Sequence, residues 1–158
     1  MISYREWTVE DTEALRRLLS ALHESLRPFD DNYPPAPAII EGYLQYLLRE
    51  VAETSGTFFI AEDDGRPIGF VCVFGLMSPW SPDEDPAEYS FVSDLYVEPA
   101  YQGQGVGKEL LACAEAYGQA LGAPRIELAV HAANTALELY THLGYRQRLM
   151  IMTKRLDG

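Results

Sequence analysis

Three glycines fall within five residues in the segment Tyr101-Gln102-Gly103-Gln104-Gly105-Val106-Gly107-Lys108. The segment stands between an apolar run ending at Val97 and a helical pattern beginning at Val106. Glycines tolerate positive φ and let a ligand come close to the backbone. A helix N-terminus adds free N–H donors and about half a positive charge. A glycine turn feeding a helix therefore makes a cradle for a phosphate or pyrophosphate, with Lys108 as a mobile cation in the first turn. Two common phosphate motifs do not fit. A P-loop needs glycine where Gln102 stands and Ser or Thr where Glu109 stands. The dinucleotide fingerprint, begun at Gly103, needs glycine where Lys108 stands. The pattern is Gln102-x-x-Gly105-x-Gly107.

Other residues with chemical potential are scattered. Asp94 lies on the strand before the glycines, on the face shared with Val92 and Tyr96, and Glu88 lies at its start. Either carboxylate can relay a proton through water, and either suits a solvated or paired surface. His131 reads as a loop histidine, and His23 and His142 as helix-surface residues; no two share metal-ligand spacing, so no metal is expected. Cys72 and Cys113 each sit in an apolar run, outside any C-x-x-C pair, as buried free thiols of a reducing compartment do. No G-x-S-x-G and no Cys–His pairing signal suggests a covalent enzyme intermediate.

The elements that must position these residues follow from periodicity. Ile2 to Trp7 predicts a strand, and Thr8 with Asp11 a helix start. Leu15, Leu18, Leu19 and Leu22 form one apolar helical stripe. The proline-rich stretch from Arg27 to Pro37 predicts a loop, and Ile39 to Glu53 a second helix. Thr57 to Ala61 and Pro67 to Met77 predict strands joined by the turn Asp63-Asp64-Gly65-Arg66. After the acidic loop Ser78 to Pro86 come a strand at Glu88 to Val97, a helix at Val106 to Leu121 and a strand at Arg125 to Val130. A helix at Asn134 to Leu143, N-capped by Asn134, and a last strand at Tyr145 to Leu156 complete the order. Central hairpins followed by β-α-β crossovers imply an α/β chain with a mixed sheet and helices on both faces. No repeat or linker divides residues 1–158, so a single domain is expected.

The segment Gln102-x-x-Gly105-x-Gly107 resembles the Arg/Gln-x-x-Gly-x-Gly/Ala signature of the GNAT superfamily of N-acetyltransferases. The preceding Asp94-Leu95-Tyr96-Val97 and Glu98-Pro99 look like that family's central strand and its exit. Downstream, Asn134, Tyr140 and Gly144-Tyr145 resemble a second family segment. The resemblance covers the whole element order and is specific from about residue 89 to 146. It implies a GNAT-like fold: a mixed, largely antiparallel sheet of about six to seven strands, splayed at the cofactor site and flanked by about four helices. It implies an enzyme that moves an acetyl group from acetyl-CoA to a primary amine of a small molecule or peptide by direct attack. A non-catalytic acyl-CoA-binding or regulatory module is the alternative on the same fold. It further implies that Leu95, Tyr96 and Val97 pair with the pantetheine arm, and that Gln102, Gly103, Gln104, Gly105, Val106, Gly107 and Lys108 hold the pyrophosphate. Asn134 would contact the pantetheine. Tyr140 would protonate the leaving sulfur, with Asp94 or Glu88 as base. A homodimer is compatible with it.

Charge sharpens the substrate side. Of 158 residues, 24 are Asp or Glu and 12 are Lys or Arg, a net charge of −12. Phosphate-rich partners call for the opposite balance, so neither nucleic acid nor an anionic membrane is expected. Residues 51–100 hold 10 acids and 1 base, whereas residues 101–158 hold 5 acids and 6 bases. The less acidic third contains the glycine turn. The acidic third, with Asp83-Glu84-Asp85, and the loop Asp30-Asp31-Asn32-Tyr33 lead to the expectation of a cationic amine. The N-terminus lacks a signal-peptide pattern, which leads to the expectation of a cytoplasmic protein.

Overall fold

The computed structural model describes residues 1–158. Strand β1 (Ile2–Glu6) passes through a 3₁₀ turn into helix α1 (Thr12–Leu26). The turn is fixed reciprocally: the Thr8 N–H donates to the Asp11 carboxylate at 2.8 Å, and the Asp11 N–H donates to the Thr8 carbonyl at 2.9 Å. The Arg5 guanidinium grips the same carboxylate at 2.8 and 2.9 Å and holds its pKa below the ordinary value. Helix α2 (Ala36–Glu53) begins ahead of the expected Ile39, because Pro37 fits a first helical turn.

Strands β2 (Thr57–Asp63) and β3 (Arg66–Met77) form a hairpin in which Asp64 and Gly65 have φ of +47° and +82°. Positive φ at both turn residues matches the twist of paired strands. Strand β4 (Tyr89–Val97), helix α3 (Val106–Ala120), strand β5 (Ile126–Leu128) and helix α4 (Ala136–His142) follow. The sheet order is β1-β2-β3-β4-β5. The first four strands pair antiparallel and β5 joins β4 in parallel.

Side-chain alternation along the strands divides the core between two faces. Phe58, Ile60, Phe70, Cys72 and Phe74 pack under the leucine stripe of α1 and under Ile40, Leu44 and Leu47 of α2. Ala61, Ile68, Val71, Val73, Val92 and Val97 pack on the other face against Val106, Leu110, Leu111 and Ala114 of α3. Helix α3 lies close to the sheet at Gly118, where a Cβ would come within 2.5 Å of the Ser90 hydroxyl.

Two expectations about strands change. The sheet has five strands, not six to seven. The stretch Tyr145 to Leu156 is irregular rather than a final strand, and it is exposed from Arg146 onward. Its consecutive apolar residues Leu149 to Met152 are 69–87% exposed.

Candidate functional site

The site is built around a defect in β4. Cys72 pairs with Asp94, but the next residue of β3, Val73, pairs with Val92, which leaves Ser93 as an extra residue in β4. Such a bulge bends a strand and re-aims the side chains beyond it. Val92 and Leu95 consequently share the α3 face, while Asp94 points to the helix α1–α2 side and meets Tyr43. The expectation that Asp94 shares a face with Val92 is therefore corrected: alternation without the bulge would have placed it there. The Ser93 hydroxyl is buried at the bulge with no hydrogen-bond partner.

The bulge also marks where the sheet opens. β5 pairs with Ser90, Phe91 and Val92 and with nothing beyond. From Asp94 to Val97, β4 is held only by β3. The Glu98 N–H donates to the Ile68 carbonyl at 2.9 Å, so the alternating antiparallel pattern turns the main-chain groups of Tyr96 toward Phe70. The same alternation turns the N–H and C=O of Leu95 and Val97 toward the opening. The Gln102 side-chain amide donates to the Val97 carbonyl at 2.8 Å and ties the glycine turn to this edge.

The open edge runs directly into the glycines. Gly103 and Gly105 have φ of +77° and +83° and open space where a Cβ would stand. The first i→i−4 bond of α3 is Glu109 N–H to Gly105 carbonyl at 3.1 Å. The amides of Val106, Gly107 and Lys108 precede it and have no acceptor within the helix. Gln102, Gly103, Gln104, Gly105 and Lys108 are exposed. An extended edge with the N–H and C=O of Leu95 and the N–H of Val97 free thus ends in a cluster of free N–H donors. It fits a ligand with an amide-bearing arm and a phosphate end.

Helix α4 closes the other side. The Asn134 side-chain oxygen accepts the Ala136 N–H at 2.9 Å, so Asn134 does cap α4, two residues ahead of its first residue. At the other end Gly144, with φ of +93°, lets the Gly144 and Tyr145 amides reach the Thr141 and Tyr140 carbonyls at 3.1 and 3.0 Å. Leu139 lies 3.7 Å from where a Cβ on Gly107 would be, so α4 packs beside the start of α3. Tyr140 faces the α3-side core and its ring lies 6.0 Å from that of Tyr145. Burial pushes its phenol up from the ordinary value, which keeps it protonated.

The two carboxylates separate. Glu88 is exposed just before β4, six residues and about 20 Å of strand from Asp94. Asp94 is largely buried at the opening, and burial pushes its carboxyl up to about 6 against the opposing pull of the Tyr43 hydroxyl. Tyr43 reaches it from α2 with its oxygen 3.0 and 2.9 Å from the two carboxylate oxygens. Tyr33, from the acidic loop at Asp30, binds the His131 ring at 3.0 Å and thereby joins the α1–α2 loop to the segment before α4. Tyr43 is not legible from sequence as a site residue, because its helix position carries no spacing signal; the loop of Tyr33 and the histidine His131 are noticeable in the sequence, but their contact is not. The Asp83-Glu84-Asp85 loop lies at the far end of β4, where Glu84 approaches Arg148 at 3.8 Å. A surface hollow of about 400 Å³ between Trp80, Glu84 and Pro86 lies at that far end too. No helix is long and apolar enough to cross a membrane, and no three His, Cys, Asp or Glu residues cluster to hold a metal.

Comparison with known proteins bears on the family and the fold. An N-acetyltransferase of Methanocaldococcus jannaschii, itself uncharacterized, is 27% identical over 144 residues, covering 87% of this chain and 61% of that protein. The S-alkylcysteine N-acetyltransferase of Bacillus subtilis is 27% identical over 146 residues, covering 90% of this chain and 77% of that protein. The chain thus spans less than two thirds of the archaeal relative's length. Among solved structures, a GCN5-related N-acetyltransferase from Ralstonia eutropha superposes with a TM-score of 0.77 at 20% identity over all of both chains. An aminoglycoside N-acetyltransferase in complex with CoA superposes with a TM-score of 0.75 at 21% identity, over 100% of this chain and 96% of that one. The model of the acetyltransferase (GNAT) family matches residues 14–145, and the chain belongs to that family.

Proposed function

We propose that the protein transfers an acetyl group from acetyl-CoA to a primary amine within a ternary complex. The observation that carries this reading is the continuity of the open Leu95–Val97 edge with the glycine turn. Leu95 and Val97 supply main-chain groups at the right spacing for the amides of the pantetheine arm, with Tyr96 between them. The turn from Gln102 to Lys108 supplies donors for the pyrophosphate, and Asn134 borders the arm from the α4 side. The relatives' names point the same way, to N-acetyl transfer.

The residues divide the chemistry between them. Asp94 accepts the proton of the ammonium substrate, through water, which frees the nitrogen lone pair. The nitrogen bonds to the thioester carbon, the carbon–sulfur bond breaks, and the second proton shed by the nitrogen passes through water to replace the one that Tyr140 gives up, while Asp94 returns its own to solvent. The Val97 N–H, fixed on the open edge, offsets charge growing on the carbonyl oxygen. Tyr140, kept protonated by burial, gives its proton to the departing sulfur. Glu88 is too far along the strand to join them and serves at most the approach of substrate. The acidic chain, at net −12, favours a cationic acceptor.

The test is CoA release measured over a panel of amines. Acetyl-CoA-dependent release with at least one amine, lost in Asp94→Asn, supports the reading. Tight acetyl-CoA binding with no release over the panel reduces the protein to an acyl-CoA-binding module.

A further inference from the structure

Two uncovered features stand side by side at the end of β4 away from the glycine turn. One is the hollow of about 400 Å³ walled by Trp80, Glu84 and the prolines Pro79, Pro82 and Pro86. The other is the apolar run Leu149 to Met152. Arg148, the residue before the run, approaches Glu84 of the hollow at 3.8 Å and Glu127 of β5 at 3.5 Å. The run therefore starts beside the hollow, yet its four side chains are 69–87% exposed and Trp80 is 88% exposed. Neither feature covers the other within one chain. Uncovered apolar surface of this extent marks an interaction site, and Trp and Met are residues that interface cores favour. A wall stiffened by prolines loses little freedom on binding.

Charge says what fits there. Residues 145–158 hold the bases Arg146, Arg148, Lys154 and Arg155 and one acid, a net of +3, whereas the rest of the chain carries −15. Arg146 and Lys154 are exposed and make no ion pair in their own chain. The acids Asp83 and Asp85 flank Glu84 at the hollow; both are exposed, and neither has a cationic partner. An apolar run with free bases is the complement of an aromatic hollow with free acids, and every copy of the chain carries both. A two-fold axis beside such a patch satisfies both halves at once and closes at two copies. We propose that the protein forms a two-fold dimer in which the Leu149–Met152 run of each copy covers the Trp80 hollow of the other. Arg146 and Lys154 then face the partner's Asp83 and the partner's Asp85.

Light scattering on the full chain at about 20 µM tests this. The expected mass is that of two chains. Ile151→Asp and Trp80→Ala each raise the dissociation constant at least ~10-fold. Circular dichroism and the KM for acetyl-CoA hold in both, since both side chains are exposed and far from the glycine turn. Charge exchange gives the specific readout. A chain with Asp83→Lys and Asp85→Lys, and a second with Arg146→Glu and Lys154→Glu, each stay single alone, because like charges meet at both contacts. Mixed together they pair, because both contacts regain opposite charges. A single-chain mass for the parent, as when the run folds onto its own hollow, overturns the inference. So does assembly beyond two chains, an unweakened dimer in either Ile151→Asp or Trp80→Ala, or no pairing on mixing. CoA release over the amine panel reads the acetyl-transfer proposal separately, and none of these outcomes bears on it.

Discussion

The Tyr43 hydroxyl lies 3.0 and 2.9 Å from the two carboxylate oxygens of Asp94, so one phenolic proton is shared between both oxygens of a largely buried acid. Burial disfavours the carboxylate, and the Tyr43 bond favours it. Their balance sets the acid at about 6, which suits a base that must be free near neutrality. Cys72 on β3, Tyr46 on α2 and Tyr33 on the adjoining loop also face this charge, and none carries an opposite one. In Tyr43→Phe the opposing pull is gone. The acidic limb of the kcat/KM profile should then move upward by about one pH unit. An unmoved limb in a fully active variant would show that Asp94 is not the titrating base.

The same acid makes a prediction about stability. Its pKa is raised in the folded protein, so the folded state binds a proton more tightly than the unfolded chain does. The penalty is absent below the ordinary carboxyl value of 3.8, grows as pH rises toward 6, and is complete above that. Asp94→Asn keeps an oxygen for the Tyr43 hydroxyl and carries no charge. It should therefore raise stability at pH 7.5 by on the order of 2 kcal/mol, with the gain vanishing near pH 4. Denaturant melts at the two pH values measure this. Asp11 behaves oppositely, because Arg5 depresses its pKa: its contribution is present above 3.8 and is lost as pH falls. A gain for Asp94→Asn that persists at pH 4 would mean that packing, not charge, is responsible.

What the sequence disclosed depended on the range of the signal. The glycine turn and both helix caps around it are local: Gly105 needs positive φ, and Asn134 binds an amide two residues away. Periodicity located four helices and five strands within a few residues. A splayed central strand followed only from the family resemblance, and the position of its bulge at Ser93 is a relation between β3 and β4 that no residue type demands. Missing it placed Asp94 on the wrong face. The Tyr33–His131 contact spans 98 positions and could not be read from either neighbourhood. The stretch from Tyr145 onward shows the converse failure: strand composition alone does not make a strand.

The glycine turn can be tested apart from catalysis. Gly105 has φ of +83° and no atom within 4 Å of where a Cβ would stand, so Gly105→Ala adds strain without a clash. The cost to stability should be about 1–2 kcal/mol. The displaced amide should raise the KM for acetyl-CoA at least tenfold, with kcat little changed at saturation. Gly118→Ala gives the contrasting pattern: its Cβ would meet the buried Ser90 hydroxyl at 2.5 Å, far from the turn. It should lower the melting temperature and leave the acetyl-CoA KM nearly as it was. Isothermal titration with acetyl-CoA alongside melting curves separates the two. Equal acetyl-CoA affinity in Gly105→Ala and the parent would remove the cradle from the cofactor site.

Tyr140 carries the last step. Its phenol is raised by burial alone, so its proton is available to the departing sulfur and is not committed to a neighbour. Tyr140→Phe removes that proton and almost nothing else, since the ring continues to pack against the α3-side core beside Tyr145. The melting temperature and the acetyl-CoA KM should stay within error of the parent, and kcat should fall about 100-fold, the lower end for a positioned general acid. The loss should shrink with an acetyl donor whose thiol has a lower pKa, because such a leaving group needs less help. A kcat equal to the parent's, or a loss that is the same for both donors, would assign the sulfur's proton to water.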